Sequence, residues 1–164
     1  MKGMIRKMKK IFLGLMLLLV ACFTGCEKVE KGLYKEGTYM GYDMYESYGK
    51  NYVTTAVIYV DSNGMIKSCY IDSTYDKDGK YTTKKTLGDD YGMKETSLNI
   101  GVIPGGAEWY EQVKVIEDKV VSEQNLEWVK WQDEEKTKLD SISGVTISAN
   151  SYINAIDNAI KQAK

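Results

Sequence analysis

The feature that most constrains this chain is Asp61-Ser62-Asn63-Gly64, set between Tyr52–Val60 and Met65–Tyr75. Both flanking runs are rich in Val, Ile, Tyr and Thr, which favour extended backbone. An Asn-Gly pair between two such runs is a strong short-range signal for an antiparallel hairpin. The same composition extends back to Gly37, so the segment Gly37–Tyr75 predicts at least three antiparallel strands. In Lys67–Tyr75 the period of two puts Cys69, Ile71 and Tyr75 on one face, which makes Cys69 a small core residue and not a redox thiol.

Downstream the pattern changes. Trp109, Val113, Ile116 and Val120 recur at helical spacing after Pro104-Gly105-Gly106 and predict a helix from about Ala107. Ile153, Ile156, Ile160 and Ala163 form a second stripe, predicting a helix over Ala149–Ala163 with Ser148 as its N-cap. Asp76–Gly106 lacks sustained periodicity and reads as a long, partly ordered loop of the kind that often carries function. Strands first and helices later imply an α+β fold, a small antiparallel β-sheet with helices packed on one face. A length of 164 residues suits one such domain.

The chain has no histidine, which excludes Ser-His-Asp and Cys-His nucleophile pairs, histidine metal sites and imidazole pH switching. Five of its 22 basic residues lie within positions 1–21, leaving 17 against 23 acidic residues in the remainder. That balance is not that of a nucleic-acid binder. Acidic pairs such as Asp89-Asp90 and Glu134-Glu135 sit in charged stretches and read as solvated faces, which gives a hydrolase little support.

Those basic residues, Lys2 to Lys10, precede the apolar run Ile11–Val20, the arrangement of a secretory signal. Leu19-Val20-Ala21-Cys22 resembles the lipobox of bacterial lipoprotein precursors, with Cys26 as the alternative lipidation site. The implied organisation is a lipoprotein signal peptide over 1–21, a polar tether over 22–33 and one domain over 34–164. The implied location is the extracytoplasmic side of the cell membrane, held by a lipid anchor.

The chemistry centres on Asp140-Ser141-Ile142-Ser143-Gly144-Val145-Thr146-Ile147-Ser148. This stretch resembles the D-x-I/V-S-G-A/V-T-x-S/T flavinylation motif of the FMN-binding domain family, in which the threonine hydroxyl carries FMN through a phosphoester. The likeness is strongest to flavoprotein lipoproteins of Gram-positive extracellular electron transfer. Tyr34-Lys35-Glu36-Gly37-Thr38-Tyr39 resembles the opening of these domains and Asp61–Lys67 their following hairpin, Leu87–Met93 with Glu108-Trp109-Tyr110-Glu111-Gln112 resembles the lipoprotein branch in particular, and the His-x-Glu-Thr-Pro-Gly loop of the respiratory-complex branch is missing.

The resemblance implies Thr146 as the acceptor, with Asp140, Ser143 and Gly144 matching the motif. Val145 stands where alanine is commoner, a small side chain expected to shape the phosphate pocket. Tyr91, Gly92 and Met93 are the candidates for the flavin ring, since their loop should close over the motif. The implied partners are a Mg²⁺-dependent flavin transferase with FAD as donor, a membrane quinone oxidoreductase and an extracellular electron acceptor. On that reading the protein is an electron carrier and not a stand-alone enzyme. The alternative is a lipoprotein that binds FMN non-covalently, or another ligand.

Overall fold

The computed structural model describes residues 31–164. The expected leader 1–21, the lipidation candidates Cys22 and Cys26, and the expected tether up to residue 30 lie outside the described residues. Four strands run in sequence order, β1 (Gly37–Ser47), β2 (Lys50–Val60), β3 (Ile66–Lys77) and β4 (Lys80–Thr83), every pairing antiparallel. The helices are a single turn α1 (Lys84–Leu87), then α2 (Lys94–Ile100), α3 (Trp109–Glu123) and α4 (Asn150–Ala163). A 3₁₀ turn over Gly88–Tyr91 joins α1 to the loop before α2.

The fold is α+β, with the sheet a simple meander because each connection is tight. Tyr48-Gly49 and Asp78-Gly79 make two-residue turns with φ of 51° and 70°, and of 54° and 80°. Such paired positive φ values match the twist of the strands they join. At the third hairpin the Asp61 carboxylate accepts from the backbone N–H groups of Asn63 and Met65, at 3.0 and 2.9 Å.

The core forms where the inner face of the sheet meets α3 and α4. Ala56, Ile58 and Ile71 from the sheet are fully buried with Val113, Ile116 and Val120 of α3 and Ala155, Ile156 and Ala159 of α4. Cys69 is buried too, and burial pushes its thiol pKa up to about 12. Helix α4 crosses β1 where Gly41 leaves no room for a side chain: a Cβ there would stand 2.1 Å from the Ala155 carbonyl oxygen and 2.4 Å from the Ala159 nitrogen. The unpaired edge of β3 is closed by α3. Gln124 Oε1 accepts from Ile66 N–H and its amide donates back to Ile66 O, while Glu117 Oε1 accepts from Ile71 N–H. An edge that would otherwise be open to further strands is thereby satisfied within the domain.

Two sequence expectations need correction. Asp76–Gly106 is not a long loop: it holds the end of β3, β4, α1, the 3₁₀ turn and α2. These pieces are four to seven residues long, too short to display a helical period. Ser148 does not cap α4. The N-cap position is Ala149, without a side-chain bond, and its backbone N–H is engaged by Thr137 O at 2.8 Å.

Candidate functional site

The Ser143–Thr146 segment is a turn laid against α3. Gly144 has φ of +84°, a left-handed conformation costly for other residues, and its nearest neighbour on a Cβ would be Val115 Cγ2 at 3.8 Å. Val145 turns into the hydrophobic core, 9% exposed, whereas Ser143 and Asp140 are exposed. Thr146 is half-buried, and both of its donors go to one acceptor: the backbone N–H and the hydroxyl reach Gln112 Oε1 at 2.8 and 3.1 Å. Gln112 is fully buried on α3 and donates its amide to Ala107 O.

The same helix start holds the other half of the predicted site. Glu108 caps α3, and its Oε2 accepts from Met93 N–H at 2.9 Å. Met93 and Thr146 are therefore tied to positions one helical turn apart on α3, although 53 residues separate them in sequence.

Tyr91, Gly92 and Met93 line a cavity of about 320 Å³, together with Tyr45, Tyr48, Tyr52, Tyr75 and Lys84. Six of its residues, including Tyr91, Met93 and Lys84, also border a neighbouring space of about 330 Å³ that reaches Ile147, Ser148 and Tyr152. Tyr91 and Met93 thus border the same space as Ile147 and Ser148, the residues that follow the motif threonine. Thr146, Ser143, Gly144 and Asp140 themselves stand outside the lining of both spaces.

The walls are aromatic and in mutual contact. Ring centroids run Tyr45–Tyr52 at 5.5 Å, Tyr52–Tyr75 at 6.2 Å, Tyr75–Tyr91 at 5.0 Å and Tyr91–Trp109 at 6.4 Å. Burial raises the pKa of Tyr45 and Tyr91, so these walls are neutral phenols. Lys84, 7% exposed, points its ammonium at Tyr45, Tyr91 and Trp109. Burial lowers its pKa to about 8, partly opposed by the Asp72 charge.

Sequence reasoning missed Lys84 and assigned no role to Gln112. Lys84-Lys85 reads as a solvated pair, so nothing local marks Lys84. Gln112 was legible in principle, because it lies three residues from Trp109 and four from Ile116, on the buried face, where a polar side chain requires a partner.

A cavity of this size lies within the range of small-molecule sites. Aromatic walls, one pair stacked and the others tilted or edge-on, and one cation suit a planar ring that carries negative charge, so the residues present fit a flavin ring.

The fold and cavity define a small α+β domain with an aromatic, singly cationic site between its sheet and the segment 84–96. No family model matches the chain, and no curated protein matches it. It is similar to a protein of Clostridium thermocellum solved by NMR in solution by the Northeast Structural Genomics Consortium. The two are 31% identical with a TM-score of 0.51, over 78% of this chain and 91% of that one. This chain and that protein belong to one family.

Proposed function

We propose that this protein is a lipid-anchored, extracytoplasmic electron carrier with FMN joined to Thr146 through a phosphoester. It passes electrons from a membrane quinone oxidoreductase to extracellular acceptors or a partner reductase. The observation that carries this reading is the arrangement around Gln112: a threonine in a flavinylation-type motif, held by one buried acceptor, beside an aromatic cavity.

FMN would supply the reversible redox chemistry, and the chain's residues would supply position and environment. Gln112 keeps the Thr146 N–H engaged whether or not the hydroxyl is esterified, so the turn survives loss of the hydroxyl proton. Esterification sacrifices only the second bond, a cost of about 1 kcal/mol. Gly144 supplies the left-handed turn that brings Thr146 onto α3. Tyr75, Tyr91 and Met93 would offer apolar surface to the ring. Making the bond falls to a separate Mg²⁺-dependent flavin transferase using FAD, because an unactivated threonine is a poor nucleophile.

One observation favours the second reading, a non-covalent flavin or other ligand: the Thr146 hydroxyl is engaged by Gln112 and does not line the cavity. Intact mass of denatured protein, made with and without a flavin transferase, separates the two. A gain of FMN less water in the parent, absent in Thr146→Ala, supports the carrier. No gain, with a control domain modified in parallel, refutes it.

A further inference from the structure

Lys84 is a cation without an ion-pair partner, set in an aromatic cage. Its Nζ lies 5.6, 5.1 and 5.2 Å from the ring centroids of Tyr45, Tyr91 and Trp109. Among the described residues no carboxylate comes within 4 Å of it. The acids in the vicinity are committed elsewhere: Glu117 pairs with Lys85, and the Asp72 carboxylate accepts from Ser73 N–H, Lys85 N–H and the Tyr70 hydroxyl. Burial keeps Tyr45 and Tyr91 neutral, so they supply no counter-charge.

A buried charge without a partner opposes folding, and cation–π contacts offset only part of that. Such a group is understandable where its counter-charge arrives with a ligand. Lys84 borders both spaces of the site, the one lined by Gly92 and the one that reaches Ser148.

We propose that Lys84 is the recognition residue of this cavity, its ammonium meeting the negatively charged edge of a planar aromatic ligand. Resting on the flavin reading above, that ligand is the isoalloxazine ring. The edge is the pyrimidine side, where the ring carries negative charge after taking up two electrons and one proton. A fixed cation there favours the reduced ring over the oxidised one and so raises the midpoint potential. Because Lys84 acts on the ring and not on the phosphoester, its removal leaves attachment at Thr146 intact.

The test is a spectroelectrochemical titration at pH 7 of full-length flavinylated protein in detergent, with dithionite and mediator dyes supplying the electrons. Lys84→Met is expected to keep its flavin by mass while losing about tenfold to hundredfold of the preference for the reduced ring. For a two-electron couple that is a fall of about 30 to 60 mV, and Lys84→Arg restores most of it. An unchanged potential in flavin-loaded Lys84→Met overturns the role of Lys84 and leaves the carrier reading standing. If the parent carries no covalent flavin, the carrier reading falls, and free FMN titrated by fluorescence quenching decides Lys84 separately. Binding about tenfold weaker in Lys84→Met supports the proposal, whereas equal binding or none in the parent overturns it.

Discussion

Removing the buried charge at Lys84 should stabilise the protein. Burial brings the ammonium's pKa from 10.5 to about 8. At about 1.4 kcal/mol per pH unit, keeping Lys84 protonated inside costs folding about 3 kcal/mol at neutral pH. Repacking the site around the substituted side chain gives back up to about 1.5 kcal/mol of this. Lys84→Met keeps the length and the apolar contacts without the charge, so it should gain about 1–2 kcal/mol at pH 7.

The sign with pH follows from proton binding. The unfolded chain holds the Lys84 proton more tightly than the folded one, so the parent gains stability as pH rises from about 8 towards 10.5. The advantage of Lys84→Met is therefore full below pH 8 and shrinks above it. Urea unfolding of both proteins at pH 7 and pH 10 measures this, with equal m-values required for the comparison. A parent more stable than Lys84→Met at pH 7, or a gap that does not narrow at pH 10, would refute the reasoning.

Three further outcomes are expected. Glu117→Ala leaves the Ile71 N–H and the Lys85 ammonium without their shared acceptor, and should cost about 3 kcal/mol in urea unfolding. Gly41→Ala drives a methyl group into the α4 backbone at Ala155 and Ala159 and should cost about 2–3 kcal/mol, lowering Tm in a calorimetric scan. Cys69, with its thiol pushed up to about 12, should react with iodoacetamide at pH 8 at least about a hundredfold more slowly in the native protein than in denaturing guanidinium.

The parts of the fold legible in the sequence are those where burial repeats over enough residues to set a period. Trp109, Val113, Ile116 and Val120 all reach the core, as do Ile153, Ile156, Ile160 and Ala163, because each stripe spans three turns or more. The Asp61–Gly64 hairpin was legible because its Asn-Gly pair stands between two runs rich in Val, Ile, Tyr and Thr. Asp78-Gly79 carries the same kind of signal, but the strand after it, Lys80–Thr83, is four residues long and wholly polar or aromatic, so no alternation supported it. The start of α4 was legible to within a residue, but its cap was not, because the anchor there is Thr137 O, a backbone group that no N-cap preference records.

The site divides in the same way. Motif residues Ser143, Gly144 and Thr146 are contiguous and visible as a string. The Gln112 bond to Thr146 bridges 34 residues and exists only once α3 docks. Lys84 is harder still: its aromatic partners come from β1, the 3₁₀ turn and α3, so the cage is purely tertiary.

The most direct test of the account is to locate the modification. The motif falls in a tryptic peptide bounded by cleavage after Lys138 and after Lys161, which also contains Ser141, Ser143, Ser148 and Ser151. Fragmentation of that peptide from protein made with a flavin transferase should put FMN less water on Thr146 alone. An unmodified peptide, or the added mass on any of those serines, would contradict the account.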